Sequence, residues 1–453
     1  MNEGSGSQLA FFDPIHQGRY IATKRVPQAN LSVPRFDYEN AMSAFSHEQP
    51  SWPEPTHGIS ELRLAIRYQP KNSLLKYSSE MATLNVDITD YPGEWLLDLP
   101  MLNQTYKQWS EQMLALLKAQ PRAKYAQSFI DKVSTVDPLS VVNEEFLAEL
   151  SQEYTQLLHT FRHELGLSVI QPGRFILPAE LAGAPILEFF PFPDFETLNA
   201  DDYQNAPDNS FIGMLRARFI EYKEEVVKKF YKQHFVRFDR QIVLVDCLTP
   251  LNTCSEQSGS ESFNDVELAM SMLLESYQYG KSGLFSRLFS PKIDKLLFAA
   301  TKADHVTPEQ HAPMVSLLNQ LIHQSKHRLN YEAIEIKTLA IASVKCTTSG
   351  VSLHDGKRYP VIQGCVDDNS GLATNNDAIK GDKLKESNAK SSLKKITVFP
   401  GSVPEKLPTQ AYWKECAFNF IAFKPSKSFS KNECLPHIRM DQVLQFLLAD
   451  KMT

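Results

Sequence analysis

Several features that would identify a class of protein are missing from this sequence of 453 residues. Its six cysteines form no Cys-x-x-Cys pair, which argues against a zinc site and suits a reducing compartment. No run of about 18 apolar residues is present, and the N-terminal MNEGSGSQLAFF lacks the pattern of a signal peptide. A net charge of −6 argues against a broadly cationic nucleic-acid-binding surface. We therefore expect a cytoplasmic protein without a transmembrane segment or a nucleic-acid partner.

Strand-like runs that end in polar loops are the main feature that is present. The first run leads into Asp90-Tyr91-Pro92-Gly93, the second into Thr301-Lys302-Ala303-Asp304, and the third into Ala342-Ser343-Val344-Lys345. In this order the loops have the pattern of a GTPase: a Mg²⁺ and γ-phosphate loop, a guanine loop, and a loop behind the base. A carboxylate such as Asp90 can hold Mg²⁺ through water, and the Gly93 amide can approach a γ-phosphate. The alternative for this first loop is a simple turn at a strand end.

Asp304 is the most specific of these candidates. A carboxylate can accept hydrogen bonds from the N1–H and 2-amino groups of guanine, and adenine offers neither donor. The stem of Lys302 can lie along the base plane, and the backbone near Ser343 and Val344 can back the guanine O6. The alternative for Asp304 is a surface acid near a helix start.

The phosphate-binding Gly-x-x-x-x-Gly-Lys-[Ser/Thr] that should precede these loops does not occur in residues 1–453. Gly280-Lys281-Ser282 looks like its final part, but residue 275 is Glu, and the preceding 264–279 is predicted to be a helix. Asp246 follows another apolar run and is predicted to close a turn with Thr249 rather than to bind a metal.

Residue periodicity predicts an α/β fold in five regions. Region 1–100 begins with about 60 irregular residues, followed by paired antiparallel strands at 61–68 and 82–90. Region 101–235 has helical spacing and is predicted to be a mainly helical insertion. Region 236–365 alternates strands and helices, as a parallel α/β sheet does, and capping-box patterns predict helix starts at Asn264 and Thr307. A flexible loop at 366–395 and a C-terminal extension at 396–453, which ends in an amphipathic helix, complete the chain.

Longer segments resemble the bacterial YcjX-like family of stress-associated GTPases: KRVPQ (24–28), DYPGEWLLDLPML (90–102), IQPGRFILPAELAGAP (170–185), HFVRFDRQIVLVDCLTPLN (234–252) and LFSPKIDKLLFAATKADHVT (288–307). The resemblance implies a Ras-like P-loop NTPase domain with a helical insertion, and GTP/GDP with Mg²⁺ as ligands. It also implies a role in the envelope stress response, an inner-membrane protein partner and a peripheral location at that membrane.

The resemblance also assigns residues to roles. Asp90 and Gly93 match the metal and γ-phosphate loop. Thr301, Lys302 and Asp304 match the guanine loop, and Ser343, Val344 and Lys345 match the loop behind the base. Thr56, just before the first strand, is then the candidate switch threonine that closes on Mg²⁺.

Two functions follow from these patterns. The first is a GTP-binding switch with slow hydrolysis, because Glu94 occupies the position where a water-orienting residue is often found. An arginine is expected to assist, and the candidates are Arg237, Arg240 and Arg287. The second is a non-catalytic interaction or scaffold protein built on a degenerate nucleotide-binding domain, which the missing phosphate loop favours.

The missing loop also predicts that Met1 is an internal start. In a Ras-like sheet the strand before the phosphate loop lies between the Asp90 strand and the Val243 strand. Without it, both strands would have unpaired backbone groups. Roughly 40–50 upstream residues would be enough for a strand, a loop and a helix of ordinary length.

Overall fold

The computed structural model describes residues 6–71, 81–193, 198–252, 259–276, 293–323, 334–354, 356–366, 393–409, 412, 418, 421–425, 429 and 433–453. The strands are β1 (Tyr20–Val26), β2 (Ser60–Tyr68), β3 (Ala82–Asp90), β4 (Arg240–Val245), β5 (Lys295–Ala300), β6 (Glu335–Ala340), β7 (Thr348–His354), β8 (Lys357–Val366) and β9 (Lys394–Val398).

The α-helices are α1 (Asp13–His16), α2 (Tyr38–Ser46), α3 (Tyr106–Lys118), α4 (Ala123–Ser134), α5 (Glu144–His163), α6 (Gly173–Ile176), α7 (Ala200–Gln204), α8 (Phe211–Glu221), α9 (Lys228–Gln233), α10 (Gly259–Ser276), α11 (His311–Leu321) and α12 (Met440–Leu448). A π-helical segment, Tyr222–Val227, joins α8 to α9. The 3₁₀ segments are Gly93–Asn103, Ala179–Leu181, Pro185–Leu187, Phe235–Arg237, Thr249–Asn252, Ala303–His305, Pro308–Gln310 and Ala449–Met452. No helix of the described ranges is both long enough and apolar enough to cross a membrane.

The strands form three sheets of three in the part of the chain that the structure describes. β2 lies between β1 and β3 in an antiparallel sheet, where Ser60 pairs with Asp90. β4, β5 and β6 are parallel, with Val245, Ala300 and Ala340 side by side at their carboxyl ends. β7, β8 and β9 form an antiparallel sheet. The predicted antiparallel pair and the predicted parallel sheet are both confirmed, and the architecture is α/β.

One edge of β3 and one edge of β4 have no strand partner among the described residues, since β3 pairs only with β2 and β4 only with β5. On β4, Ile242 and Leu244 are 38% and 65% exposed, whereas Val243 on the opposite face is buried. This alternation follows from the two-residue period of a strand. The amide of Gln241 on β4 donates to the Tyr91 hydroxyl at 2.7 Å, which places the residue after β3 beside the start of β4.

The largest cluster of buried apolar side chains extends from the helices of 106–233 into the parallel sheet. Trp109 and Phe219 belong to its helical part, and Val243 and Phe298 to its sheet part. The opposite face of β5 presents Leu297 to Phe446 of α12. The parallel sheet is therefore covered by apolar side chains on both faces at β5, as parallel sheets usually are.

The prediction that the first 60 residues are irregular was wrong. They contain β1, which pairs with β2 through contacts such as Lys24 beside Ala65. Apart from Thr23, the residues of β1 are not fully buried, so the strand has no apolar alternation for a sequence pattern to detect. They also contain α2, whose start is capped by the Asp37 side chain accepting from Asn40 N.

Of the two predicted helix starts, the one at Asn264 was wrong, whereas Thr307 is the N-cap residue of Pro308–Gln310, which leads directly into α11 but lacks the predicted capping bonds. α10 begins at Gly259, so Asn264 lies inside the helix. Thr307 forms no side-chain capping bond, and Gln310 instead donates to Gly401 O and accepts from Val403 N. The capping box at Thr307 does not form, because the Gln310 side chain is hydrogen-bonded to residues 401 and 403 and is not available to the helix start.

Other predictions fall at the limits of the described residues. Gly280-Lys281-Ser282, Arg287 and most of the predicted flexible loop (367–392) lie outside them. Val366 ends β8, and Lys394 and Lys395 begin β9, so these three residues of the predicted loop lie in strands.

Candidate functional site

The two predicted Mg²⁺ ligands meet at the end of β3. The Thr56 hydroxyl donates to Asp90 Oδ2 at 2.6 Å, although 34 residues separate them in the sequence. Pairing of Ser60 with Asp90 holds the segment before β2 beside this carboxylate. Both side chains are partly exposed. Hard oxygen donors of this kind suit Mg²⁺, so the residues present fit that ion.

Gly93 and Glu94 begin the 3₁₀ segment that follows Asp90. Gly93 is exposed, and a Cβ added there would meet no atom within 4 Å, so its backbone is open to close approach. The Glu94 carboxylate forms an ion pair with Arg162 Nη2 at 2.8 Å, in the last turn of α5. A Cβ on Gly173 would lie 2.3 Å from Glu94 O, so a glycine is required there. Glu94 is thus ion-paired to the helical region through its side chain, and its backbone packs closely against Gly173.

Asp98, later in the same segment, is a buried carboxyl group that the sequence analysis did not single out. Tyr222 O–H donates to Asp98 Oδ2 at 2.5 Å, and Gly173 N–H donates to both carboxyl oxygens at 2.9 and 3.1 Å. Burial raises the pKa of Asp98 to about 7, although these hydrogen bonds and Arg174 act in the opposite direction. A single acid inside the apolar run LLDLPML was the available signal.

The predicted guanine loop follows β5. Thr301 N donates to Val245 O at 3.0 Å, and Lys302 has left-handed backbone geometry with φ +61°. Lys302 Nζ donates to Asp246 Oδ2 at 2.6 Å. Lys302 is therefore held across the carboxyl ends of β4 and β5.

The predicted turn at Asp246 is confirmed. Asp246 Oδ1 accepts from Leu248 N and Thr249 N, and Oδ2 accepts from the Thr249 hydroxyl at 2.6 Å. Burial alone would raise the pKa of Asp246, but Lys302 and Thr249 together hold it below its ordinary value. No sequence pattern predicts the pairing of Asp246 with Lys302, because the two residues lie 56 positions apart.

Asp304 is buried, with 3% of its surface exposed, and is not the surface acid of the alternative interpretation. Its Oδ2 accepts from Cys346 N at 2.8 Å and from the Cys346 thiol at 3.0 Å, and Oδ1 lies 3.1 Å from His305 Nδ1. Burial acts to raise the pKa of Asp304, but His305 and Cys346 outweigh it and lower the pKa. The Asp304 carbonyl also accepts from the Thr347 hydroxyl. Asp304 thus joins the loop after β5 to the loop after β6.

The predicted base-backing loop lies beside the guanine loop. Ala303 N donates to Ile341 O at 3.0 Å, just before Ser343. Lys345 N donates to Pro436 O at 2.7 Å, so the segment before α12 supports the loop. Ser343 is exposed, and Val344 and Lys345 are partly buried.

Of the candidate arginines, the two that the structure describes, Arg237 and Arg240, are not placed to assist at this site. Arg240 binds Asp294, Asp450 and the Leu447 carbonyl at the amino end of β4, the opposite end from Asp246. Arg237 precedes that same end of the strand. Among the described residues, Arg162 pairs with Glu94 beside Gly93, and Arg174 stacks on Trp95 of the same segment.

The fold is α/β, and the candidate site is made of polar loops at the ends of parallel strands. Known proteins with similar sequences are consistent with this architecture. The chain matches the YcjX-like family, DUF463, over residues 1–452 and belongs to that family. It is 45% identical over 452 residues to the Ras-like GTPase YcjX of Escherichia coli strain K12, covering 100% of this chain and 90% of that protein. It is 40% identical over 450 residues to the Ras-like GTPase YcjX of Shewanella oneidensis strain MR-1, covering 98% of this chain and 86% of that protein. The family resemblance is therefore confirmed.

Proposed function

We propose that this chain is a GTP/GDP-binding protein that acts as a slow GTPase switch. Residues 1–100 and 236–365 form its Ras-like nucleotide domain, 101–235 its mainly helical insertion, and 396–453 its C-terminal extension. The observation that carries the proposal is the joining of the two guanine-side loops through Asp304, at the carboxyl ends of β5 and β6. Ligands of open parallel sheets bind at that end of the strands. The names of both relatives, Ras-like GTPases, support the same function.

In this proposal Asp304 selects guanine. An ionised carboxylate has about four acceptor positions, and Asp304 uses three of them, for Cys346 N, Cys346 Sγ and the His305 contact. One acceptor position remains on Oδ1 for the guanine N1–H or 2-amino group, and because the side chain is 2% exposed, the residues that cover it must move to admit the base. Lys302 lies along the base, with Thr301 before it, and Ser343, Val344 and Lys345 form the wall behind the base.

Thr56 and Asp90 would hold Mg²⁺, which neutralises charge on the phosphates when it is bound. The Gly93 amide would face the γ-phosphate. Glu94 contributes no water-orienting amide, and its carboxylate is engaged by Arg162. We therefore expect slow hydrolysis.

The absence of a Gly-x-x-x-x-Gly-Lys-[Ser/Thr] in residues 1–453 argues for weak nucleotide binding by this chain. The same absence favours the second candidate, a non-catalytic interaction or scaffold protein. A role in the envelope stress response, an inner-membrane protein partner and a cytoplasmic location at the periphery of that membrane are part of the proposal and rest on the family resemblance.

Calorimetric titration with GTP and with ATP, each with Mg²⁺, tests the proposal on wild-type protein and on Asp304→Asn. We expect Asp304→Asn to weaken GTP binding by at least about 100-fold, because a neutral amide oxygen accepts a hydrogen bond from guanine more weakly than a carboxylate does. Asp294→Asn is the matched control, since Asp294 lies at the other end of the strand and binds Arg240. Thermal unfolding of each variant verifies that it is folded.

GTP binding that survives in Asp294→Asn and is lost in Asp304→Asn would support the guanine assignment. Equal affinity for GTP and ATP would contradict it. If the wild-type protein binds neither GTP nor ATP, the GTPase proposal fails, and the non-catalytic interaction or scaffold function is favoured.

A further inference from the structure

The tip of the β7–β8 hairpin, defined as residues 351–354 and 356–359, carries exposed apolar side chains beside a polar turn. Val351 and Leu353 on β7 are 67% and 69% exposed. They share one face of the hairpin because they are two residues apart in a strand. Further along that face, Ile362 is buried in a cluster with Cys346 and Phe423. The apolar face therefore starts in the core and continues beyond it.

The other face of the sheet carries an aromatic pair, formed by one residue of β8 and the residue that follows β9. Tyr359 and Phe399 are 36% and 45% exposed, and their ring centroids lie 6.5 Å apart. Exposed aromatic rings beside aliphatic side chains are typical of segments that sit at a membrane–water boundary. A tip with apolar groups on both faces suits insertion between lipid headgroups better than a flat contact with one protein surface.

The charge of this sheet is opposite to that of the whole chain. Residues 348–366 and 394–398 contain four basic side chains, Lys357, Arg358, Lys394 and Lys395, against one acid, Asp355. All four basic residues are exposed, and none forms an ion pair with any residue that the structure describes. The chain as a whole has a net charge of −6. An anionic surface would therefore attract this sheet while repelling much of the remaining molecule.

We propose that the β7–β8 hairpin, residues 348–366, inserts its tip into the surface of an anionic lipid bilayer. Val351 and Leu353 enter the boundary between headgroups and acyl chains, and Lys357 and Arg358 bind the anionic headgroups. The inference deepens the peripheral location proposed above and does not depend on nucleotide binding. The base of the hairpin begins one residue after Thr347, which donates to the Asp304 carbonyl, so β7 connects the guanine loop to the proposed lipid contact at its other end.

Co-sedimentation of the full chain with vesicles tests this inference. We expect binding to vesicles of phosphatidylcholine mixed with phosphatidylglycerol, little binding to phosphatidylcholine alone, and a steep loss of binding as salt increases. Val351→Ser/Leu353→Ser and Lys357→Glu/Arg358→Glu should each lower the partition coefficient at least about tenfold. The matched control is Ile242→Ser/Leu244→Ser, which removes two exposed apolar side chains from β4 instead.

The inference is overturned if wild-type protein binds neither kind of vesicle, or if the β4 control loses as much binding as the hairpin variants. Concentration-dependent self-association that only the hairpin variants abolish, without vesicle binding, would assign the edge of β7 to strand pairing with another chain. Titration of the hairpin variants with GTP separates the lipid proposal from the GTP-binding proposal. We expect these variants to bind GTP as the wild type does, even where they lose vesicle binding.

Discussion

Asp98 lies in the segment after the Gly93 loop, with 2% of its surface exposed, and accepts hydrogen bonds from Tyr222 and Gly173. Tyr222 begins the π-helical segment between α8 and α9. π-Helical segments occur frequently at functional sites. A single carboxyl group thus connects the predicted phosphate side of the molecule to its helical region.

We predict that Asp98 makes the protein less stable as pH rises towards neutrality. An aspartate in the unfolded chain ionises near pH 4, whereas burial raises the pKa of folded Asp98 to about 7. Between these values only the folded state holds the proton, so the free energy of unfolding falls by about 1.4 kcal/mol per pH unit. The stabilisation that comes from protonated Asp98 is complete below the unfolded-state pKa, near 4, and is lost above the folded-state pKa of about 7.

Asp98→Asn removes this titration while keeping an acceptor for Tyr222. Relative to wild type, the variant should gain stability between about pH 4 and pH 7, by up to roughly 4 kcal/mol. Urea unfolding across that pH range measures the gain. Asp87→Asn, at the exposed pair with Arg63, is the control. A difference between Asp98→Asn and wild type that does not change with pH would contradict the prediction.

Among the secondary-structure elements, α4 and α10 are joined by a buried ion pair. Arg122, at the start of α4, donates to Asp265 of α10 at 2.5 Å and to Val169 O at 2.9 Å. Asp265 also accepts from Ser168 N and Val169 N, so its charge is balanced and its oxygens are satisfied. The two side chains are 5% and 3% exposed. This pair ties the helical region to the first helix after β4.

Arg122→Met should destabilise the protein by roughly 3–5 kcal/mol, because it leaves the Asp265 carboxylate buried without its cation. The double variant Arg122→Met/Asp265→Asn should recover part of that loss, since the amide oxygen still accepts from the backbone without a charge. Chemical denaturation of each variant measures both effects. Lys132→Met, at an exposed pair with Glu153, should change little. A double variant less stable than Arg122→Met would show that the unpaired charge is not the cause.

At the scale of the whole molecule, the largest cluster of buried apolar side chains extends across residue 235, the predicted end of the helical insertion. It includes Trp109 and Phe219 of the helical region together with Val243 and Phe298 of the sheet. We therefore predict that the helices of 106–233 and the parallel sheet unfold together, since neither can separate without exposing shared apolar surface. Hydrogen exchange followed by mass spectrometry in increasing denaturant measures this. Peptides from α3 and α8 that lose protection before those from β4 and β5 would show an independently unfolding helical region.

Parts of the site and the fold were predictable from the sequence because their signals are local. An apolar run followed by polar residues marks a strand end, which placed Asp90, Asp246 and Thr301 correctly at the ends of β3, β4 and β5. Two-residue alternation predicted the pairing of β2 with β3. The missing phosphate loop was also visible in the sequence alone.

The sequence by itself therefore determined the α/β architecture, the positions of the loops and the family. The family resemblance placed Thr56 near Asp90, but only the tertiary structure shows that Lys302 pairs with Asp246 and Glu94 with Arg162. It also decided that Gln310 binds residues 401 and 403 instead of capping a helix. The physical reason is that these contacts join residues far apart in the chain. Their free energy depends on burial and on competing partners, and no local pattern of residues encodes either.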